Sequence, residues 1–233
     1  MGHPIWLRTT LALALAFGAP DGAAACRLAL VLAMDVSKSV DGRDYRLQFG
    51  GLAAALRDPD VRATILEPDE PVAITVFEWS DATHHEVIAD WTLAETGADL
   101  DGIAARLDRH ERTGRGRRTA VGSALEFAHA ELARMPDCAR QTIDLSSDGY
   151  NNRGPEPEAV YLVRDFDSTT VNALVIGGRA RPELMRYYET RVIRGVGAFA
   201  IPTWDFSDYK TAIREKLLRE LAPAAVVASA PTD

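Results

Sequence analysis

Leu28-Ala-Leu-Val-Leu-Ala-Met-Asp35 is an apolar run that stops at a carboxylate, with Ser37 and Ser39 following at alternate positions. An apolar run of this length, bounded by polar residues, predicts a strand buried on both faces. Tyr45, Phe49, Leu52 and Leu56 then recur at helical spacing, predicting a helix over 40–57 that Asp58-Pro59 ends. Val72 to Phe77 reads as a second strand running into Glu78-Trp79-Ser80, and 85–92 as its hairpin return. A helix over 98–109 turns Leu100, Ile103 and Leu107 inward. After a basic, glycine-containing loop at 111–118, a helix over 119–134 does the same with Val121, Leu125, Ala128 and Leu132.

The second half repeats the alternation. Gln141 to Ser147 predicts a strand ending in Asp148-Gly149, followed by a loop over 151–154 and a proline-initiated helix over 156–166. A strand over 170–176, a helix over 182–192 and a short strand over 198–201, stopped by Pro202, come next. Ser207 is placed to cap a last helix carrying Ile213, Leu217 and Leu221. Strands alternating with helices, with one hairpin, define an α/β fold. The expectation is a doubly wound, mainly parallel Rossmann-like sheet with one antiparallel edge strand and helices on both faces. No repeat or interdomain linker divides it, so one domain is expected over 26–222, followed by a flexible tail at 223–233.

The start of the chain reads differently. Arg8, the apolar Leu11 to Phe17 and the small residues Ala23-Ala24-Ala25 follow the pattern of a signal peptide over 1–25. Export to the periplasm or beyond is therefore expected, with no transmembrane segment in the mature chain. The net charge is −8, and removing Arg8 and Asp21 together leaves it unchanged. Such an acidic chain is a poor partner for nucleic acid. Two cysteines, Cys26 and Cys138, remain in an oxidising compartment, which favours a disulfide. A lipid anchor on Cys26 is the alternative, but Ala23 stands where that signal usually has a bulky aliphatic residue.

In an open α/β sheet, ligands bind at the carboxyl ends of the strands. Asp35 and Asp148 both fall there, and Thr119 sits where a loop enters a helix. Hard divalent cations take oxygen ligands, and Mg²⁺ keeps several waters. Two carboxylates with hydroxyls from Ser37, Ser39 and Thr119 suit such an ion without overcharging it, leaving a position for a partner's carboxylate. Separately, Ser39 reads as an N-cap and Asp148-Gly149 as a turn. It is their order and placement together that point to a site.

Asp35-x-Ser37-x-Ser39, then Thr119, then Asp148-Gly149 resemble the metal-ion-dependent adhesion site (MIDAS) of von Willebrand factor type A (vWA) domains. More narrowly, Asp148-Gly-x-Asn-Asn152 and Phe77-Glu78-Trp79-Ser80 resemble the exported bacterial DUF1194 family. The resemblance implies direct binding of the ion by Ser37 and Ser39. It implies a ligand-dependent bond from Thr119, and bonds from Asp35 and Asp148 either direct or through water. The implied ion is Mg²⁺, or Mn²⁺ or Ca²⁺ in its place, and the implied partner is a protein presenting an acidic residue. No enzymatic activity is expected. Many members carry glycine before the threonine, whereas Arg117-Arg118 stand here and put positive charge beside the metal. The family's strand order also sets the strand of Asp35 beside that of Asp148. Cys26 lies nine residues before Asp35 and Cys138 ten before Asp148, so they become level at the far end of the sheet.

Glu78, Trp79, Arg117, Arg118 and Asn151 are the candidates for the site's rim. The 109–118 segment holds five arginines, suited either to solvent or to an acidic partner. His84-His85, His110 and His129 lack zinc-ligand spacing, and Gly114-x-Gly116 lacks the strand and lysine of a phosphate loop. Asp144 falls inside a buried strand and needs a partner that the sequence does not name. Two rival functions stay open. One is a metal-dependent phosphohydrolase with Asp35 as nucleophile, against which stands Ser37 where that chemistry wants a second aspartate. The other is a structural subunit of an envelope complex with a vestigial metal site.

Overall fold

A computed structural model describes residues 26–113, 118–135 and 138–222. The signal-peptide and tail expectations, and Gly114-x-Gly116, lie outside those residues. Six strands form one sheet in the order β3-β2-β1-β4-β5-β6: β1 (Leu28–Asp35), β2 (Val72–Trp79), β3 (His85–Ala94), β4 (Gln141–Ser147), β5 (Thr169–Val175) and β6 (Ala200–Pro202). All neighbours are parallel except β2 and β3, which pair antiparallel at one edge. The expected fold class holds.

β1 shows why the helices sit where they do. All eight of its residues are buried, as its unbroken apolar run requires. Leu28, Leu30, Leu32 and Met34 face α1 (Gly42–Leu56), α2 (Pro59–Leu66), α3 (Gly97–Arg109) and α7 (Tyr209–Leu221). Ala29, Val31 and Ala33 face the other layer, made of α4 (Val121–Leu132), α5 (Pro157–Val163) and α6 (Pro182–Tyr187). The inward positions predicted for α1, α3, α4 and α7 are buried without exception.

Four local expectations are corrected. Asp58-Pro59 ends one helix and starts another: the Asp58 carboxylate accepts from Asp60 N and Val61 N, and Pro59 occupies the first turn of α2. The helix from Pro182 changes to a π-helical turn over Tyr188–Val192. Pro202 lies within β6, where it pairs with Val175 as an edge position permits. Ser207 caps nothing; Asp205 accepts from Ser207 N at the start of a 3₁₀ turn over Phe206–Asp208 that leads into α7.

At the amino end of the sheet, Cys26 and Cys138 form a disulfide, with Cα atoms 4.5 Å apart, just before β1 and β4 begin. Asp144 finds its partner in α7: Lys216 Nζ lies 2.5 Å from Asp144 Oδ1 and 2.7 Å from Glu220 Oε1, all three fully buried or nearly so. Asn172 Nδ2 donates to the same Glu220 oxygen at 2.8 Å.

Candidate metal centre

β1 sits between β2 and β4, so Asp35 emerges at the middle of the sheet's carboxyl edge. The chain then turns tightly, with Val40 N donating to Ser37 O at 3.1 Å, before Asp41 caps α1 through Arg43 N and Asp44 N. This turn carries Ser37 and Ser39. Ser37 N donates to Asp35 Oδ1 at 2.7 Å, the Ser37 and Ser39 hydroxyls are 3.2 Å apart, and Ser39 Oγ donates to Asp148 Oδ1 at 2.8 Å. Two loops more than a hundred residues apart in sequence thus meet through one hydroxyl.

Thr119 arrives from the third side. It is buried, and its backbone is tied to the 148–152 loop in both directions: Thr119 N donates to Asn152 Oδ1 at 3.0 Å, and Asn152 N to Thr119 O at 2.9 Å. Gly149 leaves room at this junction, where a Cβ would stand 3.1 Å from Thr119 Oγ1 and 3.4 Å from its Cγ2 and press on that side chain. Gly122 serves a similar end in the first turn of α4: a Cβ would meet Pro155 O at 2.1 Å, so only glycine lets α4 close on this loop. Asp35, Ser37, Ser39, Thr119 and Asp148 are thereby gathered at one place.

Asp35 is fully buried. Burial first, then the charge of Asp148, pushes its carboxyl up to about 7 against the bonds from Ser147 and Ser37. Burial likewise raises Asp148, with Ser39 and Arg181 opposing it. Two carboxylates so placed repel each other, a repulsion that a proton or a cation would relieve. Among the described residues no three His, Cys, Asp or Glu side chains converge on one point. An ion here has to be met by hydroxyls as well as carboxylates, and that is the donor set a hard divalent cation accepts.

The rim candidates divide. Arg118 is exposed next to Thr119, whereas Arg117 lies outside the described residues. Asn151 turns inward, its Oδ1 3.4 Å from Gly122 N at the start of α4 and its N donating to Tyr187 Oη at 3.3 Å. Glu78 and Trp79 have no exposed surface and lie under the site, not on its rim. Trp79 pairs in register with Asp35, and strand positions flanked by a neighbour and covered by helices are closed to solvent.

Several supporting residues were not singled out from the sequence. Ser147 Oγ donates to Asp35 Oδ2 at 2.6 Å, and Gln48 Nε2 to Asp35 O at 3.0 Å. Tyr188, placed by the π turn, donates to Gly149 O at 2.9 Å. Arg112 spans three carbonyls of the 36–40 turn: Nη1 donates to Val40 O at 2.9 Å, and Nη2 to Ser37 O at 2.9 Å and to Val36 O. Position in the chain offered a signal only for Ser147, which directly precedes Asp148 at the tip of β4.

The sheet order, the antiparallel edge and the carboxyl-edge site together define a vWA-like α/β domain. Solved structures share the fold. Proximal thread matrix protein 1 from the mussel byssus matches with TM-score 0.59 at 16% identity, over 85% of this chain and 47% of that one. A form of it described as having a zinc-occupied MIDAS motif matches with TM-score 0.59 at 18% identity, over 84% and 46%. The von Willebrand factor type A protein from Catenulispora acidiphila matches with TM-score 0.58 at 14% identity, over 84% and 43%. The chain therefore spans less than half the length of these three. No curated protein matches it. The chain belongs to the DUF1194 family, described as a protein of unknown function, whose profile matches residues 25–225.

Proposed function

We propose that this is an exported, non-enzymatic binding domain that uses a divalent cation to capture an acidic group of a protein partner. The observation that carries this reading is the meeting of Asp35, Ser37, Ser39, Thr119 and Asp148 at the sheet's carboxyl edge. Ser37 and Ser39 would hold Mg²⁺, or Mn²⁺ or Ca²⁺, directly, Thr119 would join them when the partner binds, and Asp35 and Asp148 would complete the set directly or through water. The ion would supply a positive charge with open coordination positions for a carboxylate. The zinc-occupied MIDAS motif of the mussel protein supports a divalent ion in this fold.

The chain's own residues do the rest. Ser147 and Ser37 N fix the orientation of Asp35, and the Asp35–Asp148 pair supplies the negative charge that a cation offsets. Arg118, exposed beside Thr119, favours an acidic partner. The disulfide and the signal pattern at 1–25 support export. Among the described residues no helix is long and apolar enough to cross a membrane.

The phosphohydrolase reading is weakened by Asp35 itself. It has no exposed surface, and each of its oxygens already accepts a hydrogen bond, so it is poorly placed as a nucleophile. A vestigial site in a structural subunit is separated by chelation, since partner capture would then survive EDTA. Thermal unfolding with and without millimolar Mg²⁺ or Mn²⁺ tests the proposal directly. Wild type is expected to gain about 2–3 kcal/mol when the ion is near a hundred times its Kd, and Asp35→Ala to gain nothing. No shift in wild type defeats the metal reading.

A further inference from the structure

The 109–118 segment is rich in arginine, and Arg112 among them is only partly exposed. Arg112 reaches back to the turn carrying Ser37 and Ser39 and donates to the carbonyls of Val36, Ser37 and Val40. Ser37 O is also the acceptor of the turn's own Val40 N bond, so Arg112 grips the turn where it closes. The same segment leads on in sequence to Thr119. One guanidinium therefore links the approach to Thr119 with the loop of the two serines.

Arg112 is itself held through a buried anion. Glu78, at the tip of β2 and fully enclosed, faces His110 Nε2 at 3.1 Å and His84 Nε2 at 3.0 Å. Tyr45 Oη donates to it at 3.1 Å and Thr113 N at 3.3 Å, and the Thr113 hydroxyl, 3.0 Å away, is shared between it and Glu86. Burial alone would raise this carboxyl. The bonds from His84, Thr113 and Tyr45 and the charge of His110 outweigh it, so Glu78 lies below the usual range and stays ionised. Its partners come from α1, the β2–β3 turn and the segment after α3, and two of them, His110 and Thr113, flank Arg112. A buried carboxylate with this many donors fixes their backbone, much as groups behind a metal's ligands orient the ligands.

We propose that Arg112 is a positioning residue for the cation site, a latch that sets the Ser37–Ser39 turn, and that Glu78 is the anchor that seats it. The inference rests on the cation reading given above, but its mechanical half is measurable in metal-free protein. Charge and geometry predict opposite signs. A positive side chain near the site repels a cation, so removing a mere charge would tighten binding. Removing a latch loosens the ligands and weakens binding, typically ten-fold or more for such supporting residues.

The experiment combines Mn²⁺ titration by calorimetry with amide hydrogen exchange of the metal-free protein. It compares wild type, Arg112→Gln, Arg112→Lys and Arg109→Gln, the last removing an equal charge from an exposed position of the same segment. The expected result is that Arg112→Gln weakens Mn²⁺ about ten-fold or more and speeds exchange at residues 37–40. Arg112→Lys, which keeps the charge but not the fork, should fall between, and Arg109→Gln should match wild type. Thr113→Val, at an exposed anchor residue, should shift both readouts the same way by less, and it stands in if Arg112→Gln does not fold. Equal or tighter binding in Arg112→Gln with unchanged exchange overturns the latch. If wild type binds no Mn²⁺, the cation reading falls and the positioning role for a metal falls with it. Exchange then decides separately whether Arg112 holds the turn.

Discussion

Asp144 lies at the centre of β4 with almost no exposed surface, and Lys216 of α7 meets it there. Lys216 also faces Glu220, so one cation serves two acids. Burial, followed by the charge of Asp144, lifts Glu220 to about 8 despite Lys216, so at neutral pH Glu220 largely keeps its proton. Two outcomes follow at this scale. Lys216→Met should cost about 3–5 kcal/mol in denaturant unfolding, because it strands a buried carboxylate. Glu220→Gln, which mimics the protonated acid, should cost under about 1 kcal/mol. A folded pKa above the unfolded one stabilises below the unfolded value and loses that contribution as pH rises through the folded value. Wild type should therefore weaken progressively as pH rises from about 4.5 to about 8 and level off above that, more steeply over this range than Glu220→Gln. The need for a partner to Asp144 was legible in the sequence, and its identity was not. Lys216 and Glu220 do fall on the inward stripe of α7 beside Ile213 and Leu217, but a stripe does not say which strand it will cover. Ser37, Ser39 and Asp148 were legible because each follows a strand tip. Arg112 was not, since a side chain reaching across two loops leaves no periodic trace.

Periodicity served well for long elements and failed where one residue has two jobs. Asp58-Pro59 reads as a stop because proline cannot continue α1, yet proline is also favoured in a first turn and aspartate before it. The eight-residue α2 begins there. Asp58 additionally accepts from Arg214 Nε of α7 at 2.8 Å, tying two helices of the same layer. Asp58→Ala should lower stability by about 1–2 kcal/mol, most of it from the lost cap, measured as a shift in denaturation midpoint at unchanged m-value. The π turn at Tyr188 was equally hidden. The hydrophobic spacing over 182–192 does not mark where the helix widens, and it is there that Tyr188 Oη reaches Gly149 O. At this scale the sequence-based reading of type and order was sound apart from the missed α2, whereas the geometry of junctions depended on contacts from elsewhere in the chain.

For the whole molecule, the parallel core explains most of the legibility. Parallel strands of an open α/β sheet place their β-to-α loops at one edge, so Asp35 and Asp148, 113 positions apart, collect there, and the connection from α3 to α4 brings Thr119 to them. The disulfide binds the opposite edge, closing 112 residues of chain. Cys26→Ser with Cys138→Ser should lower unfolding free energy by about 2–4 kcal/mol, the usual range for a native bridge. Urea titrations of the oxidised protein and of the double variant would read this difference. The bridge also bears on the order of events in time. β1 and β4 are the first and fourth strands in the chain, and meeting by diffusion across four helices is the slow kind of encounter in folding. Once Cys26 and Cys138 are joined, that encounter need not be repeated. Each time the domain opens and recloses, the two strands that lead to Asp35 and Asp148 start as neighbours.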